Sequence, residues 1–210
     1  PGKKIASNKD WENKLTEITR NAKNWDIGII VGVPAWIQIL MEKIIAYYNV
    51  ENIHDIWPNL KIYVHGGVSF EPYRKGFEKL LSEPLLYIET YLASEGFIAF
   101  QDSQTERGLW LNVDSGIFFE FIPVNEYGNE NATRVSLREV ELGVNYALII
   151  NNNAGLWGYS IGDTVEFVSK NPYRIVVTGR IKHFISAFGE HVIGKEVEEA
   201  LLSVANTEGV

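Results

Sequence analysis

The sequence contains no cysteine and only one methionine among its 210 residues. The missing cysteine excludes a disulfide scaffold, a thiolate metal site and a cysteine nucleophile, and we expect a reducing, cytoplasmic location. No apolar run approaches the roughly 18 residues that a membrane-spanning helix requires. Because the amino terminus also lacks the pattern of a secretory signal, we expect no contact with a membrane.

An excess of positive charge is also absent. The chain has 19 lysines and arginines against 27 aspartates and glutamates, a formal net charge of -8. Such a surface repels a phosphate backbone on average, so we do not expect a nucleic-acid partner. A hydrophobic content of 46% supports a substantial core, in one large or two small domains. The chain runs from Pro1 to Val210, where a helical pattern has just ended, and we expect a piece of a longer protein.

The first 84 residues alternate between helical and strand patterns. Trp11, Leu15 and Ile18 recur at helical spacing after the candidate caps Ser7 and Asn8, and this helix is expected to end near Asn24. The elements expected next are a strand over 27–33, a helix from Pro34 through Tyr48, a strand over 61–65 and a helix over 71–81. This alternation predicts a parallel, helix-covered sheet.

After Pro84 the pattern changes to short, β-branched or aromatic runs between turn residues. The predicted strands are 85–91, 97–100, 108–113, 116–124, 145–150, 164–168 and 174–178. They predict an antiparallel layer or partial barrel, followed by a helix over 193–204. The fold class is therefore mixed α/β, with part of a parallel sheet domain followed by an antiparallel, β-barrel-like subdomain.

The first candidate ligand loop is Gly66-Gly67-Val68-Ser69, at the carboxyl end of a predicted parallel strand. Open α/β sheets bind ligands at that end of their strands, and glycine lets a flat ring approach the backbone. The alternative is a plain strand-to-helix turn. His65, which precedes this loop, either faces a ligand or has a structural role at the strand end.

The second candidate loop runs from Tyr91 to Gly96 and contains Ser94 and Glu95. A hydroxyl beside a carboxylate suits a phosphate oxygen and a magnesium ion, since magnesium takes one or two carboxylates together with substrate phosphates. The alternative is a solvated turn between two strands.

The third candidate loop is Gly155 to Asp163, followed by Thr178-Gly179-Arg180. A carboxylate with an arginine beside it is suited to a ribose diol, because the carboxylate accepts hydrogen bonds from two hydroxyls. The alternative is a hairpin in which the glycines satisfy backbone geometry and Asp163 makes a local turn bond.

In their order and spacing, the motifs Gly-Gly-Val, Tyr-x-x-Ser-Glu-Gly, Gly-Leu-Trp-x-Tyr-x-x-Gly-Asp and Thr-Gly-Arg resemble those of adenylate-forming enzymes. More narrowly, the chain resembles their acyl-acid amido synthetase branch, the auxin-responsive hormone-conjugating enzymes of plants and their bacterial relatives. The resemblance runs from about Ile27 to Glu199. It implies a ligase that activates a carboxylic acid with ATP as an acyl-adenylate and transfers the acyl group to an amine.

The resemblance also implies roles for individual residues. These are Gly66, Gly67 and Val68 beside the adenine, Tyr91 against it, Ser94 on the α-phosphate, Glu95 on magnesium, Asp163 on both ribose hydroxyls, Arg180 beside the ribose and phosphate, and Lys182 at a hinge. Ser94, Glu95 and Lys182 form the expected catalytic set. The implied domains are 1–84, 85–180 and a hinge with the start of a carboxyl-terminal domain over 181–210.

The implied ligands are ATP, Mg²⁺, a small carboxylic acid and an amino acid or other amine, and the implied partner is the rest of the same polypeptide. Two alternatives stay open. One is an acyl-coenzyme A ligase with the same adenylation step, and the other is a non-catalytic nucleotide-binding fragment.

The chain departs from the family pattern in three places. Nothing over residues 1–26 resembles the Ser/Thr/Gly-rich phosphate loop that precedes these motifs in the superfamily, and the carboxyl-terminal domain that the resemblance implies for later catalytic contacts is not among the 210 residues. We therefore expect the 210 residues alone to be inactive. Gly158 stands where relatives often carry a basic residue before the tyrosine, so one cation near the nucleotide is missing.

Overall fold

The computed structural model describes residues 10–181, 185–187 and 190–192. The chain divides into two compact units, Pro1–Thr90 and Tyr91–Val210, and each is described by itself. Lys182, which is expected to act as a hinge, and the helix predicted over 193–204 lie outside the described residues. Within the described part of the chain, no helix has the length and apolar character needed to cross a membrane.

The first unit opens with helix α1, Trp11–Asn21, which continues into a 3₁₀ turn over Ala22–Asn24. The predicted caps Ser7 and Asn8 were wrong for this helix, because Asp10 is the capping residue. Its carboxylate accepts hydrogen bonds from the backbone nitrogens of Glu12 and Asn13, at 3.0 and 3.2 Å. A carboxylate there satisfies amide groups that have no partner within the first turn.

Helix α2 spans Pro34–Tyr48 and begins at the predicted proline. Its buried residues Ile37, Met41 and Ile44 are spaced by four and three positions, which places them on one face of the helix. The helix ends at Asn49, whose φ of 51° lies in the left-handed region that terminates many helices.

Three parallel strands belong to or begin in the first unit: β1 (Ile29–Val31), β2 (Ile62–Gly66) and β3 (Leu86–Ala93). Tyr63 of β2 pairs with Ile30 of β1 and with Tyr87 of β3. The assignment of the strand over 85–91 to the antiparallel layer was therefore wrong. Helix α3, Glu71–Glu78, connects β2 to β3 and ends three residues before the predicted Leu81.

The core of the first unit is aromatic. Tyr63 and Phe77 are fully buried and stack with their ring centroids 4.6 Å apart. Phe70 and Tyr87 complete the cluster, with 4.8 Å between their centroids. This cluster holds α3 against β2 and so determines where the loop between them, Gly66 to Phe70, leaves the sheet.

The second unit is an antiparallel sheet, as predicted. Its strands are β4 (Gly96–Phe100), β5 (Leu109–Leu111), β6 (Ile117–Pro123), β7 (Val135–Ser136), β8 (Asn145–Asn152), β9 (Tyr159–Lys170) and β10 (Tyr173–Arg180). Their hydrogen-bonded order is β4-β5-β10-β9-β8-β6-β7. A 3₁₀ turn, Val124–Glu126, follows β6, and β11 (Ile185–Ala187) pairs antiparallel with β12 (Glu190–Val192) in a separate two-stranded sheet.

One face of this sheet carries the core of the second unit. Phe121, Leu148, Val165 and Phe167 are fully buried there. Alternate residues of a strand share a face, so the neighbouring residues Ile122, Ala147 and Ile149 form a smaller cluster of their own. Strand β9 is longer than the predicted 164–168 because its backbone pairs with β10 as far as Asp163 and with β8 as far as Tyr159.

Truncation of Phe167 to alanine should destabilise the second unit. The ring is fully buried and lies 5.0 Å from the ring of Phe121. We expect Phe167→Ala to lower the free energy of unfolding by about 3 to 5 kcal/mol, because a cavity remains where the ring was. The control is Phe118→Ala, at a side chain that is 61% exposed, and it should change the free energy of unfolding by less than about 0.5 kcal/mol. Urea titration measures both variants. Equal losses in the two variants would contradict this description of the core.

A close backbone approach accounts for the glycine at position 66. A Cβ atom there would lie 2.2 Å from the carbonyl oxygen of Thr90 on the adjacent strand. Because the backbone of the adjacent strand would have to move, Gly66→Ala should lower the free energy of unfolding by about 1 to 3 kcal/mol. Gly28→Ala is the matched control, because its new Cβ would meet only an ordinary contact at 3.5 Å. If both variants melt at the wild-type temperature, the close approach is not real.

Candidate functional site

The centre of the candidate site is the carboxylate of Asp163 on β9. The residue is only 7% exposed, although it lies near the start of the strand. Arg180, its register partner on β10, places Nε 2.9 Å from Oδ1. On the other side, the hydroxyl of Tyr91 donates to Oδ2 at 2.7 Å. Each carboxylate oxygen therefore has one protein donor.

A break in the register of β9 and β10 brings Arg180 opposite Asp163. Val177 pairs with Val165 and Gly179 pairs with Thr164, so Thr178 is an extra residue between them. Such a bulge redirects the side chains that follow it. Thr178 is buried, and its hydroxyl lies 2.7 Å from Asn145 Oδ1. That buried contact holds the bulge in place.

Tyr91 lies in the core of the second unit. Its side chain is 8% exposed and belongs to the same buried cluster as Ile98 and Leu111. Burial, reinforced by the negative charge of Asp163, raises the pKa of the phenol far above its usual value, so the hydroxyl stays protonated and remains a donor. The resemblance implies that this ring lies against the adenine, which stays a prediction; in the structure the ring is buried and its hydroxyl donates to Asp163.

Ser94 and Glu95 form the turn between β3 and β4. Ser94 is exposed and Glu95 is partly exposed, so both are accessible from solvent. Tyr159, the first residue of β9, donates its hydroxyl to Glu95 Oε1 at 3.3 Å. Asn152, at the end of β8, donates from Nδ2 to the backbone oxygen of Glu95, also at 3.3 Å. The second and third candidate loops are therefore neighbours.

Two asparagines hold the third loop, and the sequence reasoning did not identify them. Asn152 Oδ1 accepts from the backbone nitrogens of Ala154 and Leu156, at 3.0 and 3.2 Å. Asn151 Oδ1 accepts from the nitrogen of Gly158 at 2.6 Å. Asparagines at the end of a strand before a glycine-rich turn are the only sequence signal for this role.

Arg134 is a cation that the sequence reasoning also missed. Its Nη1 lies 3.1 Å from the point where a Cβ at position 158 would stand, and 3.5 Å from Glu120 Oε2. Gly158 has a φ of 58°, so the turn itself also favours glycine. A guanidinium from elsewhere in the chain therefore lies beside Gly158, the position at which the resemblance implied a missing cation.

The first candidate loop belongs to the other compact unit. Gly67 has a φ of 84°, which favours glycine, and Val68 is 45% exposed. His65 is 5% exposed, and its ring lies 4.8 Å from that of Phe70. Burial lowers the pKa of His65 to about 4, so its imidazole is neutral near pH 7. Of the two roles open for His65, the structural one is favoured by these contacts.

The residues that the structure describes contain no group of three or more His, Cys, Asp or Glu side chains able to hold a metal ion. A cation at this site would therefore take most of its ligands from a substrate or from water. Glu95 fits that arrangement as a single, accessible carboxylate, since magnesium is commonly bound by one or two carboxylates together with phosphates.

Comparison with known proteins identifies the family. The model of the GH3 family N-terminal domain matches residues 4–85, and that of the GH3 family central domain matches residues 110–180. Together the two matches span most of the chain.

Several curated plant proteins are similar in sequence. The chain is 34% identical over 127 residues to jasmonoyl-L-amino acid synthetase GH3.5 of Oryza sativa subsp. japonica, covering 53% of this chain and 22% of that protein. It is 31% identical over 143 residues to indole-3-acetic acid-amido synthetase GH3.4 of Arabidopsis thaliana, covering 61% of this chain and 24% of the relative. The matched part of the chain thus spans less than a quarter of these relatives.

Solved structures share the fold. The GH3.15 acyl acid amido synthetase superposes with a TM-score of 0.69 at 12% identity, covering 94% of this chain and 45% of that chain. A 2-hydroxyisobutyryl-CoA ligase, solved in the postadenylation state with 2-HIB-AMP, gives 0.66 at 15% identity, covering 92% and 41%. The fold is therefore the mixed α/β fold of adenylate-forming enzymes, and by its matches to two of the family's domains the chain belongs to the GH3 family.

Proposed function

We propose that the intact protein is an ATP-dependent acid-amino acid ligase, which activates a small carboxylic acid as its acyl-adenylate and transfers the acyl group to an amine. The observation that carries the proposal is the buried Asp163 carboxylate, with Arg180 on one oxygen and Tyr91 on the other. The similar plant proteins are named as amido synthetases, which supports an amine acceptor.

The Asp163 carboxylate suits a ribose diol. An ionised carboxylate has about four acceptor positions, and the two protein donors use one on each oxygen. One further position on each oxygen is left for the 2′ and 3′ hydroxyls. Arg180 is 65% exposed at its side chain, so its guanidinium is available to a neighbouring phosphate as well as to Asp163.

The turn at Ser94 and Glu95 is the proposed phosphate and magnesium site. Ser94 would donate its hydroxyl to the α-phosphate, and Glu95 would hold Mg²⁺ together with phosphate oxygens. Bound magnesium supplies charge stabilisation as negative charge shifts to the leaving pyrophosphate. The hydroxyl of Tyr159, 3.3 Å from Glu95 Oε1, orients the carboxylate, and Asn152 anchors the turn from the backbone side.

Arg134 is proposed to supply the cation that Gly158 lacks. Its side chain is 48% exposed and is paired with Glu120 over a long 3.5 Å, so its charge is incompletely satisfied within the protein. A guanidinium at this turn would add positive charge near the phosphates, where negative charges are brought together. Arginine suits that role because it presents several donors in a fixed plane.

The remaining assignments concern the loop in the first unit and Lys182, two positions after the end of β10. Gly66, Gly67 and Val68 are proposed to flank the adenine, since a Cβ at Gly67 would meet only an ordinary contact with the Val33 side chain at 3.9 Å. Lys182 is proposed as the hinge residue. The cytoplasm, where ATP is abundant, remains the expected location.

Two balanced steps follow from these roles. A carboxylate oxygen of the acid attacks the α-phosphorus of ATP, forming an O–P bond while the bond to the β-phosphate oxygen breaks and pyrophosphate leaves. The amine nitrogen then attacks the acyl carbon, forming a C–N bond; AMP leaves with the former acyl oxygen, and the amine loses a proton. Neither step needs a protein nucleophile, so positioning and electrostatics carry the catalysis.

The adenylation step can be tested directly on the intact protein. We expect exchange of labelled pyrophosphate into ATP that depends on both Mg²⁺ and a carboxylic acid, because the first step is reversible before an acceptor binds. Mass spectrometry of the product should then show an amide when amino acids are supplied. A thioester formed with coenzyme A, and no amide, would favour the acyl-coenzyme A ligase. No exchange with any acid of a broad panel would leave only the non-catalytic nucleotide-binding alternative.

The ribose assignment can be tested with one substitution. Asp163→Asn should weaken AMP binding about tenfold to a hundredfold, because an amide replaces a charged acceptor of two hydroxyl hydrogen bonds. The matched control is Asp114→Asn, at an exposed turn residue of the same unit, which should leave AMP affinity unchanged. Isothermal titration calorimetry on the intact protein measures both, and wild-type affinity in Asp163→Asn would show that Asp163 does not hold the ribose.

A further inference from the structure

We propose that Tyr91 is a positioning residue, whose buried hydroxyl holds the Asp163 carboxylate in the one orientation that presents both of its oxygens to the ribose. This inference rests on the proposed function and deepens it. It also gives Tyr91 a role that differs from contact with the adenine, the role that its sequence motif suggested.

The position of the hydroxyl is set by the core. The Tyr91 side chain is 8% exposed and is packed in the buried cluster that also contains Phe119 and Ile150. A ring enclosed in this way cannot swing its hydroxyl elsewhere without opening the core. The 2.7 Å hydrogen bond to Asp163 Oδ2 therefore joins the carboxylate to a ring whose position is fixed by the core.

Arg180 alone does not determine the orientation of the carboxylate. The contact between Arg180 and Asp163 that the structure records joins Nε to Oδ1 at 2.9 Å, and the arginine side chain is 65% exposed. The arginine half of the pair is in contact with water and salt, which weakens its hold on the buried carboxylate. The terminal torsion of an aspartate is broad and roughly two-fold, so one donor on one oxygen leaves the carboxylate free to turn. A second donor on Oδ2 removes that freedom.

The phenol is well suited to this task. Burial raises the pKa of Tyr91 far above neutral pH, so the phenol keeps its hydrogen. That hydrogen is donated to Asp163 Oδ2. A hydroxyl that donates to Oδ2 also excludes a competing cation from that oxygen. The remaining acceptor positions of the carboxylate are then left for the nucleotide.

The consequence is discrimination between ribose and deoxyribose. A carboxylate held in one orientation accepts from both hydroxyls of a diol, whereas a turning carboxylate satisfies them poorly. Loss of the Tyr91 hydroxyl should therefore penalise a ribonucleotide more than a nucleotide that lacks one of the two hydroxyls. A purely structural role for Tyr91 would affect both nucleotides equally.

The test uses Tyr91→Phe, which keeps the ring and removes only the hydroxyl. Its matched control is Tyr146→Phe, because Tyr146 is 3% exposed in the same core and its hydroxyl accepts from the backbone nitrogen of Glu141 at 3.0 Å, away from Asp163. Dissociation constants for AMP, 2′-deoxy-AMP and 3′-deoxy-AMP are measured on the intact protein by calorimetry, with melting temperatures for each variant.

Tyr91→Phe should weaken AMP binding about tenfold, the usual effect of losing a hydrogen bond to a charged group, and should weaken the two deoxynucleotides less. Tyr146→Phe should keep the wild-type ratio of AMP to deoxy-AMP affinity. In the exchange assay, the KM for ATP should rise in Tyr91→Phe while kcat changes little. With Asp163→Asn already present, Tyr91→Phe should have no further effect on the affinity ratio.

Three results would overturn the inference. An unchanged affinity ratio in Tyr91→Phe shows that its hydroxyl does not position the carboxylate. Equal losses for all three nucleotides, together with a lower melting temperature, show a structural role only. A wild-type protein that binds no AMP overturns the proposed function and this inference with it, whereas wild-type binding with an unchanged Tyr91→Phe ratio overturns this inference alone.

Discussion

The Asp163 carboxylate, held between Arg180 and Tyr91, is the interaction on which the rest of the site depends. A charge that is 7% exposed is costly unless it is paired and hydrogen-bonded, and each of its oxygens has such a partner. Arg180 reaches it because of the bulge at Thr178, and Tyr91 reaches it because its ring is packed in the core. The position of the Asp163 carboxylate relative to its two partners thus depends both on the strand register and on the packing of the core.

Hydrogen bonds between asparagine side chains and backbone groups hold the loops that neighbour Asp163. Asn152 contacts both the turn at Glu95 and the loop before β9, so one side chain holds two of the proposed ligand-binding segments. Asn151 is shared in the same way, since it accepts from Gly158 and donates to Glu120, which also pairs with Arg134. Loops held by side-chain amides at strand ends keep a defined shape without regular structure of their own.

The predictions that were confirmed concern patterns that repeat over many residues. The apolar stripe of α2 and the short apolar runs of β6 and β8 identify their elements, because each element must bury apolar side chains. The predictions that were wrong concern features that depend on a single contact, such as a helix cap or the pairing of one strand. The α1 cap is Asp10, and Ser7 and Asn8 are also residue types that favour a cap, so the residue type alone did not select among them. Strand β3 is parallel to β2 because it pairs with that strand, which its composition did not indicate.

The same distinction applies to the candidate site. The order of its motifs was sufficient to indicate the family, and the residue types at Ser94, Glu95, Asp163 and Arg180 indicated nucleotide chemistry. The hydrogen bond from Tyr91 to Asp163 could not be predicted from the sequence, since a tyrosine in a motif has the same letter whatever its hydroxyl contacts. Arg134 was not readable either, because it lies 24 positions from Gly158 and meets it only through the pairing of β6 with β7 and β8.

The sequence by itself thus determined the fold class, the family and the chemical groups available, because periodicity and motif order are properties of the chain. The tertiary structure alone decided which groups act together: the bulge that faces Arg180 to Asp163, the core that directs the Tyr91 hydroxyl to Oδ2, and the sheet that brings Arg134 beside Gly158. Those contacts join residues far apart along the chain, and their distances depend on strand register and core packing, which local sequence patterns do not specify.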